Sequence, residues 1–418
     1  MEKIETQQEK IYLKLFGKNL ISFKKLHTGE IIGTGILNPL IKHLNLLTMF
    51  LIQAKFYRSY KHLGKWRGKR VANTFAPPVG SGAMFRALWA SLKSRIFRMH
   101  YPVAMTFAVN YECQCECIHC SAGRHKRDDM KELSTQEAKR VIDESLDLGI
   151  SILAFTGGEP LLRNDIYDLI SYVDKKKTVP LLFTNGEFLT KENVENLVKA
   201  GLYSLFVSID SSNPLEHNRL RRREGLFQKA VEGIKRAKEA GLFVGISTYA
   251  TRSGTEKNAY KKIYALAKEL ATHNVMLFDG VATGNMLHDT SELLTQEQRE
   301  KIRSFSSYIF KHNIIPPLSS QSWQNSIEGY LGGIGCLAAS IQYYVSAYGE
   351  VTPCDFTPLS FGNIREESLK KIWKRMVKHP AYSYRSTCCR MQHPTFRKLF
   401  IDPIPKQAKL PYNINKIA

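Results

Sequence analysis

Residues 110–120 read NYECQCECIHC and place Cys113, Cys115, Cys117 and Cys120, four of the chain's eight cysteines, within eight positions. Thiolates at such short spacing suit an iron–sulfur cluster or zinc. Cys113, Cys117 and Cys120 form C-x3-C-x2-C and leave Cys115 over. Three protein ligands on a four-iron cluster leave one iron open to a small molecule. Zinc instead wants a fourth ligand, which Cys115 or His119 offers. The N-terminus MEKIETQQEK carries three glutamates and no early apolar core, so no secretory signal is expected. A reducing compartment then favours ligand thiolates over disulfides.

Further polar groups fall in TGGEPLLRND, TNG and SID. Gly157 and Gly158 let backbone groups approach a ligand closely. Glu159 offers a carboxylate to an ammonium group, and Pro160 stiffens the turn. These pieces need a frame, and the flanking residues supply one. VAMTFAV, SILAF, VPLLF, SLFVSID, FVGISTYA and VMLFDG read as strands separated by amphipathic helices. Ser134 with Glu137 forms a capping box, and Thr190 precedes KENVENLVKAG, which stops at Gly201. Six such units in series over residues 102–290 imply parallel strands joined by right-handed crossovers. That sheet curls toward a partial barrel, and its functional loops gather at the C-terminal strand ends. The expected fold is α/β: a partial (β/α)6 barrel over 101–314, a basic helical N-terminal region over 1–100 and a small α+β C-terminal extension over 315–418.

C-x3-C-x2-C after the first strand, followed by GGEP after the second, resembles the radical SAM enzymes over residues 102–290. The resemblance implies that Cys113, Cys117 and Cys120 hold a [4Fe–4S] cluster whose open iron binds S-adenosylmethionine (SAM). It implies that Gly157, Gly158, Glu159 and Pro160 contact the methionine ammonium. Asn185, Ser208 and Asp210 match strand-end positions that line the SAM pocket, and His119 matches one where a ring packs beside the cluster. The implied reaction is one-electron cleavage of SAM to a 5′-deoxyadenosyl radical that abstracts hydrogen from a substrate C–H bond. A flavodoxin or ferredoxin-type reductant is implied as a partner.

The C-terminal cysteines extend the resemblance. Cys336, twelve intervening residues, Gly349, four more and Cys354 resemble the opening of a SPASM or twitch extension, and FGNIREESLKKIW fits it too. After Cys354 only the adjacent pair Cys388 and Cys389 remains, so at most one auxiliary iron–sulfur cluster is supported. Its implied ligands are Cys336, Cys354 and one of the pair, taken as Cys388; the alternative is a degenerate extension with buried, inert thiols. IQYYVSAYGEVTPC suggests a hairpin turning at Gly349, and SLKKIWKRMV a helix.

The net charge of +22 is uneven, because residues 1–100 hold 18 Lys and Arg against 4 Asp and Glu. That asymmetry asks for an anionic partner. NPLIKHLNLLTMFLIQAK, with Asn38 as N-cap and Pro39 at the first helical position, reads as an amphipathic helix too short in apolar residues to span a bilayer. MFRALWASLKSRIFRMH sets Phe85, Leu88, Trp89, Leu92 and Ile96 on one face and Arg86, Lys93, Arg95 and Arg98 on another. It suits either a lipid interface or packing on the neighbouring domain. The first hundred residues are basic, amphipathic and without strand alternation, which favours a lipid or membrane-associated substrate over a peptide; with no secretory signal and no span, a cytoplasmic protein peripheral to an anionic membrane surface is expected. A reading of another class is a zinc-stabilised protein whose basic, aromatic N-terminus binds nucleic acid.

Overall fold

The structure is a computed structural model that describes the backbone of residues 10–15, 18–25 and 31–34, and residues 63–97, 99–324, 335–384, 386 and 388–417. The expected helix beginning at Asn38 lies outside the described residues. Two compact units divide the chain, Met1–Ser59 and Tyr60–Ala418.

In the first unit, β1 (Lys10–Leu15), β2 (Lys18–Lys25) and β3 (Ile31–Thr34) form an antiparallel sheet in the order β1–β2–β3. The expectation of a helical region without strands is therefore corrected. Period two is present in KIYLKL, where Ile11, Leu13 and Leu15 alternate with Lys10, Tyr12 and Lys14.

In the second unit, β4 (Gly64–Trp66) and β5 (Lys69–Val71) form a hairpin that leads to a helix over Gly82–Ile96. The six expected strands follow as β6 (Ala104–Ala108), β7 (Ile152–Thr156), β8 (Val179–Thr184), β9 (Ser204–Ser208), β10 (Phe243–Ala250) and β11 (Asn274–Asp279). All pair in parallel, and β12 (Leu318–Ser320) extends them at one edge. At the other edge β13 (Gln342–Val345) lies parallel to β6, and β14 (Val351–Thr352) pairs antiparallel with β13. The C-terminal hairpin thus forms as expected but is built into the barrel sheet. Gly349, at φ +87°, makes its turn.

Alternate strand residues point to two cores. Outward-facing Met105, Phe107, Leu153, Phe155, Leu205 and Val207 pack beneath the helices, where each large side chain buried contributes roughly 1.5–3 kcal/mol. The Ser134–Glu137 capping box and the Thr190 cap start two of those helices. The second core closes the N-terminal end of the barrel: Val71 and Ala83 pack with Ile152, Val179, Tyr203, Phe243 and Met276. Tyr203 donates its hydroxyl to Ala76 O at 2.9 Å, and Ser204 donates to Thr74 O at 2.7 Å. Residues 63–83 therefore plug the barrel, which is why the units divide near residue 60 rather than at 100.

The helix Gly82–Ile96 packs with an unexpected side. Ala83 and Ala90 are buried and Arg86 donates to Leu146 O, whereas Phe85, Trp89 and Ile96 are 59%, 57% and 53% exposed. Among the described residues no helix is long and apolar enough to cross a membrane.

Candidate cluster and cofactor site

The cysteine loop leaves the C-terminal end of β6 and is pinned to the glycine turn after β7. Gly158 N donates to Asn110 O at 2.9 Å and Glu159 N to Glu112 O at 2.7 Å. A Cβ on Gly157, at φ +155°, would stand 2.4 Å from Asn110 O, and one on Gly158 would stand 2.2 Å from Glu112 O. The glycines are thus needed for the cysteine loop itself to cross the turn, a tighter requirement than access for a ligand.

Cys115 sits among the other thiols. Its backbone N–H donates to Cys113 Sγ at 3.4 Å, and its thiol hydrogen-bonds with Cys113 and Cys117, which holds its own proton on. The bond from Cys115 pulls Cys117 down to about 6, with Arg221 and His119 adding to it. That favours thiolate, the ligating form. Burial pushes Cys120 up to about 11. Among the described residues no three His, Cys, Asp or Glu converge on a point for a single metal ion.

Cys113, Cys117 and Cys120 line a cavity of about 590 Å³ together with Gly157, Gly158, Asn185, Ser208 and Asp210. Its size falls in the range of small-molecule sites. The fit to a bound group is supported by His119 Nδ1 and Asp355 Oδ1, both buried at this cavity without a hydrogen-bond partner. Asn185 directs Nδ2 at Cys113 Sγ, 4.0 Å away, and accepts from Gln114 at 3.2 Å through Oδ1.

Glu159 and Pro160 are buried and do not line the cavity. The Glu159 carboxylate accepts from Thr184 Oγ1 at 2.8 Å, Asn185 N at 2.8 Å and Leu161 N at 3.1 Å. Two donors reach Oε1 and one reaches Oε2, and together they tie the turn to the end of β8. Burial pushes this carboxyl up to about 7 despite the three donors.

Asp210 follows β9 and is gripped by a residue that sequence reasoning missed. Arg221 donates Nε to Oδ2 at 2.5 Å and Nη2 to Oδ1 at 3.0 Å, and His119 Nε2 lies 3.3 Å from Oδ2. Burial alone would raise the Asp210 carboxyl, but Arg221 and His119 hold it well below the usual range. The His119 ring packs on Tyr249 at 4.2 Å between centroids. Nothing in the spacing of Arg221 announced this role. It ends the helix Pro214–Arg221, and only the fold brings it under the cysteine loop.

The C-terminal extension contributes Tyr344, Asp355 and Phe356 to the same cavity. Tyr344 shares a 2.8 Å hydrogen bond with Tyr111 of the cysteine loop. Cys354 and Cys389 are buried, and each is pushed up by burial and then by the charge of Cys336. Cys388 is exposed. Of the adjacent pair it is Cys389, not the expected Cys388, that is buried close to Cys336 and Cys354.

Comparison with known proteins agrees with this layout. The Radical SAM superfamily description matches residues 109–266, and the SPASM iron–sulfur cluster-binding domain matches residues 336–394; together they point to a [4Fe–4S] cluster, SAM and an auxiliary iron–sulfur cluster. An AdoMet-dependent heme synthase of Methanosarcina barkeri is 30% identical over 295 residues, covering 65% of this chain and 82% of that protein. The antilisterial bacteriocin subtilosin biosynthesis protein AlbA of Bacillus subtilis is 26% identical, over 66% of this chain and 61% of its own. Among solved structures, Streptococcus suis SuiB bound to precursor peptide SuiA superposes with a TM-score of 0.55 at 16% identity, over 72% of this chain and 71% of that one. Native anSMEcpe with bound AdoMet gives a TM-score of 0.51 at 18% identity, over 68% and 82%. With both descriptions seated on the cysteine-bearing segments and a relative matched across most of its length, this chain belongs to the radical SAM superfamily as an enzyme with a SPASM extension.

Proposed function

We propose that the enzyme is a maturase that modifies a C–H bond in a peptide or protein. The observation that carries this reading is the three-stranded antiparallel sheet β1–β3 of the first unit. An open sheet edge accepts an extended peptide as an added strand through main-chain hydrogen bonds. Lys10, Lys14, Lys18, Lys24 and Lys25 against Glu30 in that segment favour an acidic peptide. AlbA, named for the biosynthesis of a bacteriocin, and SuiB, solved with a precursor peptide, lend support. A lipid substrate gains no such support from the relatives described.

In this reading Cys113, Cys117 and Cys120 hold the [4Fe–4S] cluster, and Cys336, Cys354 and Cys389 hold the auxiliary one. When bound, the first cluster supplies the electron that splits SAM, giving the radical that takes hydrogen from substrate. The chain's own work is positioning and exclusion of water. Gly157 and Gly158 keep the cysteine loop on the turn, Asn185, Ser208 and Asp210 line the SAM pocket, and Arg221 fixes Asp210. Asp355, with one oxygen unpartnered, faces the substrate from the extension. An acidic flavodoxin or ferredoxin-type protein supplies the electron.

A heme precursor is the second reading, favoured by the 30% identity to AdoMet-dependent heme synthases. One experiment separates the two. Anaerobically reconstituted, dithionite-reduced enzyme is given SAM with either a displayed library of linear peptides or an iron-porphyrin precursor of heme. Enrichment of acidic peptides that depends on residues 10–34, with mass change and 5′-deoxyadenosine release, is the expected result. Turnover of the porphyrin without peptide enrichment would replace this reading with the second.

A further inference from the structure

We propose that the outward face of the helix Gly82–Ile96 is a docking surface for an anionic lipid bilayer, placed so that the cavity mouth stays open to solution. Phe85, Trp89, Ile96, Phe97 and Met99 are 52–59% exposed along the helix and the turn after it. Large side chains of about 150–250 Å² each then present on the order of 500 Å² of apolar surface. That is the size of the largest apolar patch on a typical monomer, about 300–600 Å², a patch that is often functional.

The helix is inverted relative to an ordinary amphipathic packing. It holds the barrel with alanines and cations: Ala83 and Ala90 are buried, Arg86 donates to Leu146 O, and Lys93 Nζ lies 4.5 Å from the Tyr101 ring centroid. A helix that spends its polar groups inward and leaves a Trp and two Phe outward is shaped for something apolar beyond the protein.

Charge says which apolar surface. The helix start sits on the loop before β8, where a Cβ on Gly82 would meet Lys176 O at 2.4 Å. Lys176 and Lys177 of that loop are exposed. The β4–β5 hairpin adjoins it, since Trp66 and Val71 pack in the same core as Ala83. Lys65, Arg67 and Lys69 on the hairpin are exposed as well. The acidic neighbours are Asp174, paired with Lys177 at 3.5 Å, and Asp147 near Arg86. Cations beside an apolar, Trp-bearing helix face match an interfacial helix on anionic lipid.

Two protein occupants fit less well. A second copy meeting this face across a two-fold would bring the exposed Lys65, Arg67, Lys69, Lys176 and Lys177 of both chains together, like charge on like. An acidic electron donor would dock at the wrong end. The helix abuts the segments that enter β7 and β8, whereas the cysteines sit beyond the strands' far ends, a separation of about 17–20 Å for strands of five to six residues. Lipid docking is thus separate from the substrate, and it stands whether that is a peptide or a heme precursor.

The test is co-sedimentation of the full chain with phosphatidylcholine vesicles, with and without phosphatidylglycerol. Binding to the anionic vesicles is expected to fall at least tenfold in Phe85→Ser/Trp89→Ser and about fivefold per cation in Lys65→Gln/Arg67→Gln/Lys69→Gln. Formation of 5′-deoxyadenosine from SAM is expected to be unchanged in both. Trp89→Phe should bind like the parent but lose the blue shift of tryptophan emission on vesicles. Absence of binding, or binding indifferent to Phe85→Ser/Trp89→Ser, overturns the proposal. So does light scattering that shows a dimer split by those substitutions, which makes the occupant a second copy. Trp89 shielded from acrylamide in the free chain would also overturn it, because residues 35–62 would then already cover the face.

Discussion

Replacing Arg221 with methionine asks whether its fork on Asp210 holds the cofactor wall in place. The Asp210 side chain is 1% exposed and that of Arg221 11%, so water cannot take over for a lost partner. Without the guanidinium, a buried carboxylate keeps only His119 Nε2 at 3.3 Å. Stranding one charge of a buried pair costs about 3–5 kcal/mol. Asp210→Asn keeps the shape and leaves Arg221 facing the Cys117 thiolate, whose charge still suits it. Its cost should be smaller, about 1–3 kcal/mol. In Asp210→Asn/Arg221→Met no charge is stranded, and the double loss should fall short of the summed single losses by about 0.5–3 kcal/mol. Urea unfolding of the metal-free chain, followed by circular dichroism, measures all three. The reasoning fails if Arg221→Met unfolds within about 0.5 kcal/mol of the parent, or if the two single effects simply add.

Other perturbations reach the same neighbourhood. The Glu159 carboxyl is raised from 4.5 to about 7, so its contribution is full below pH 4.5 and is lost as pH rises to about 7. Stability of the metal-free chain should fall by about 3 kcal/mol across that window, and Glu159→Gln should flatten the fall in pH-resolved urea melts. Gly158→Ala pushes a methyl group against Glu112 O, so iron content after anaerobic reconstitution and 5′-deoxyadenosine formation should drop together; parent-like values for both would show that the turn can yield. Cys389→Ala should lose the iron of the auxiliary cluster while Cys388→Ala keeps it, by iron and sulfide analysis of each variant. The reverse order would place the wrong sulfur in the site.

The barrel strands were legible because parallel strands covered on both faces leave continuous apolar runs, and β6 to β11 each carry one. The cysteine loop and glycine turn were legible because their function depends on residues close in sequence. Glu159 was legible as a carboxylate, but sequence does not say where it points, and Thr184 and Asn185, which donate to it, lie 25 and 26 positions on. Arg221, Tyr249 and Tyr344 were missed because they act only through the fold; Tyr344 meets Tyr111 across 233 positions. The apolar stripe at Phe85 and Trp89 was visible as a period, but periodicity does not say whether the stripe is covered. In β1 and β2 the alternation was overlooked amid lysines.

The parallel pairing of β13 with β6 gives the chain a constraint that its family divisions conceal. Gln342–Val345 is hydrogen-bonded along the strand that launches the first cysteine loop, so the two sulfur-bearing halves share one piece of backbone scaffolding. Cutting the chain before residue 336 would not yield a smaller working enzyme. It would leave Ala104–Phe107 as a bare rim of unmated amides, a template for clumping. Grafting another relative's tail would succeed only where the donor strand keeps this alignment, so the tail behaves as a stave of the cask and not as an accessory hung on its lid.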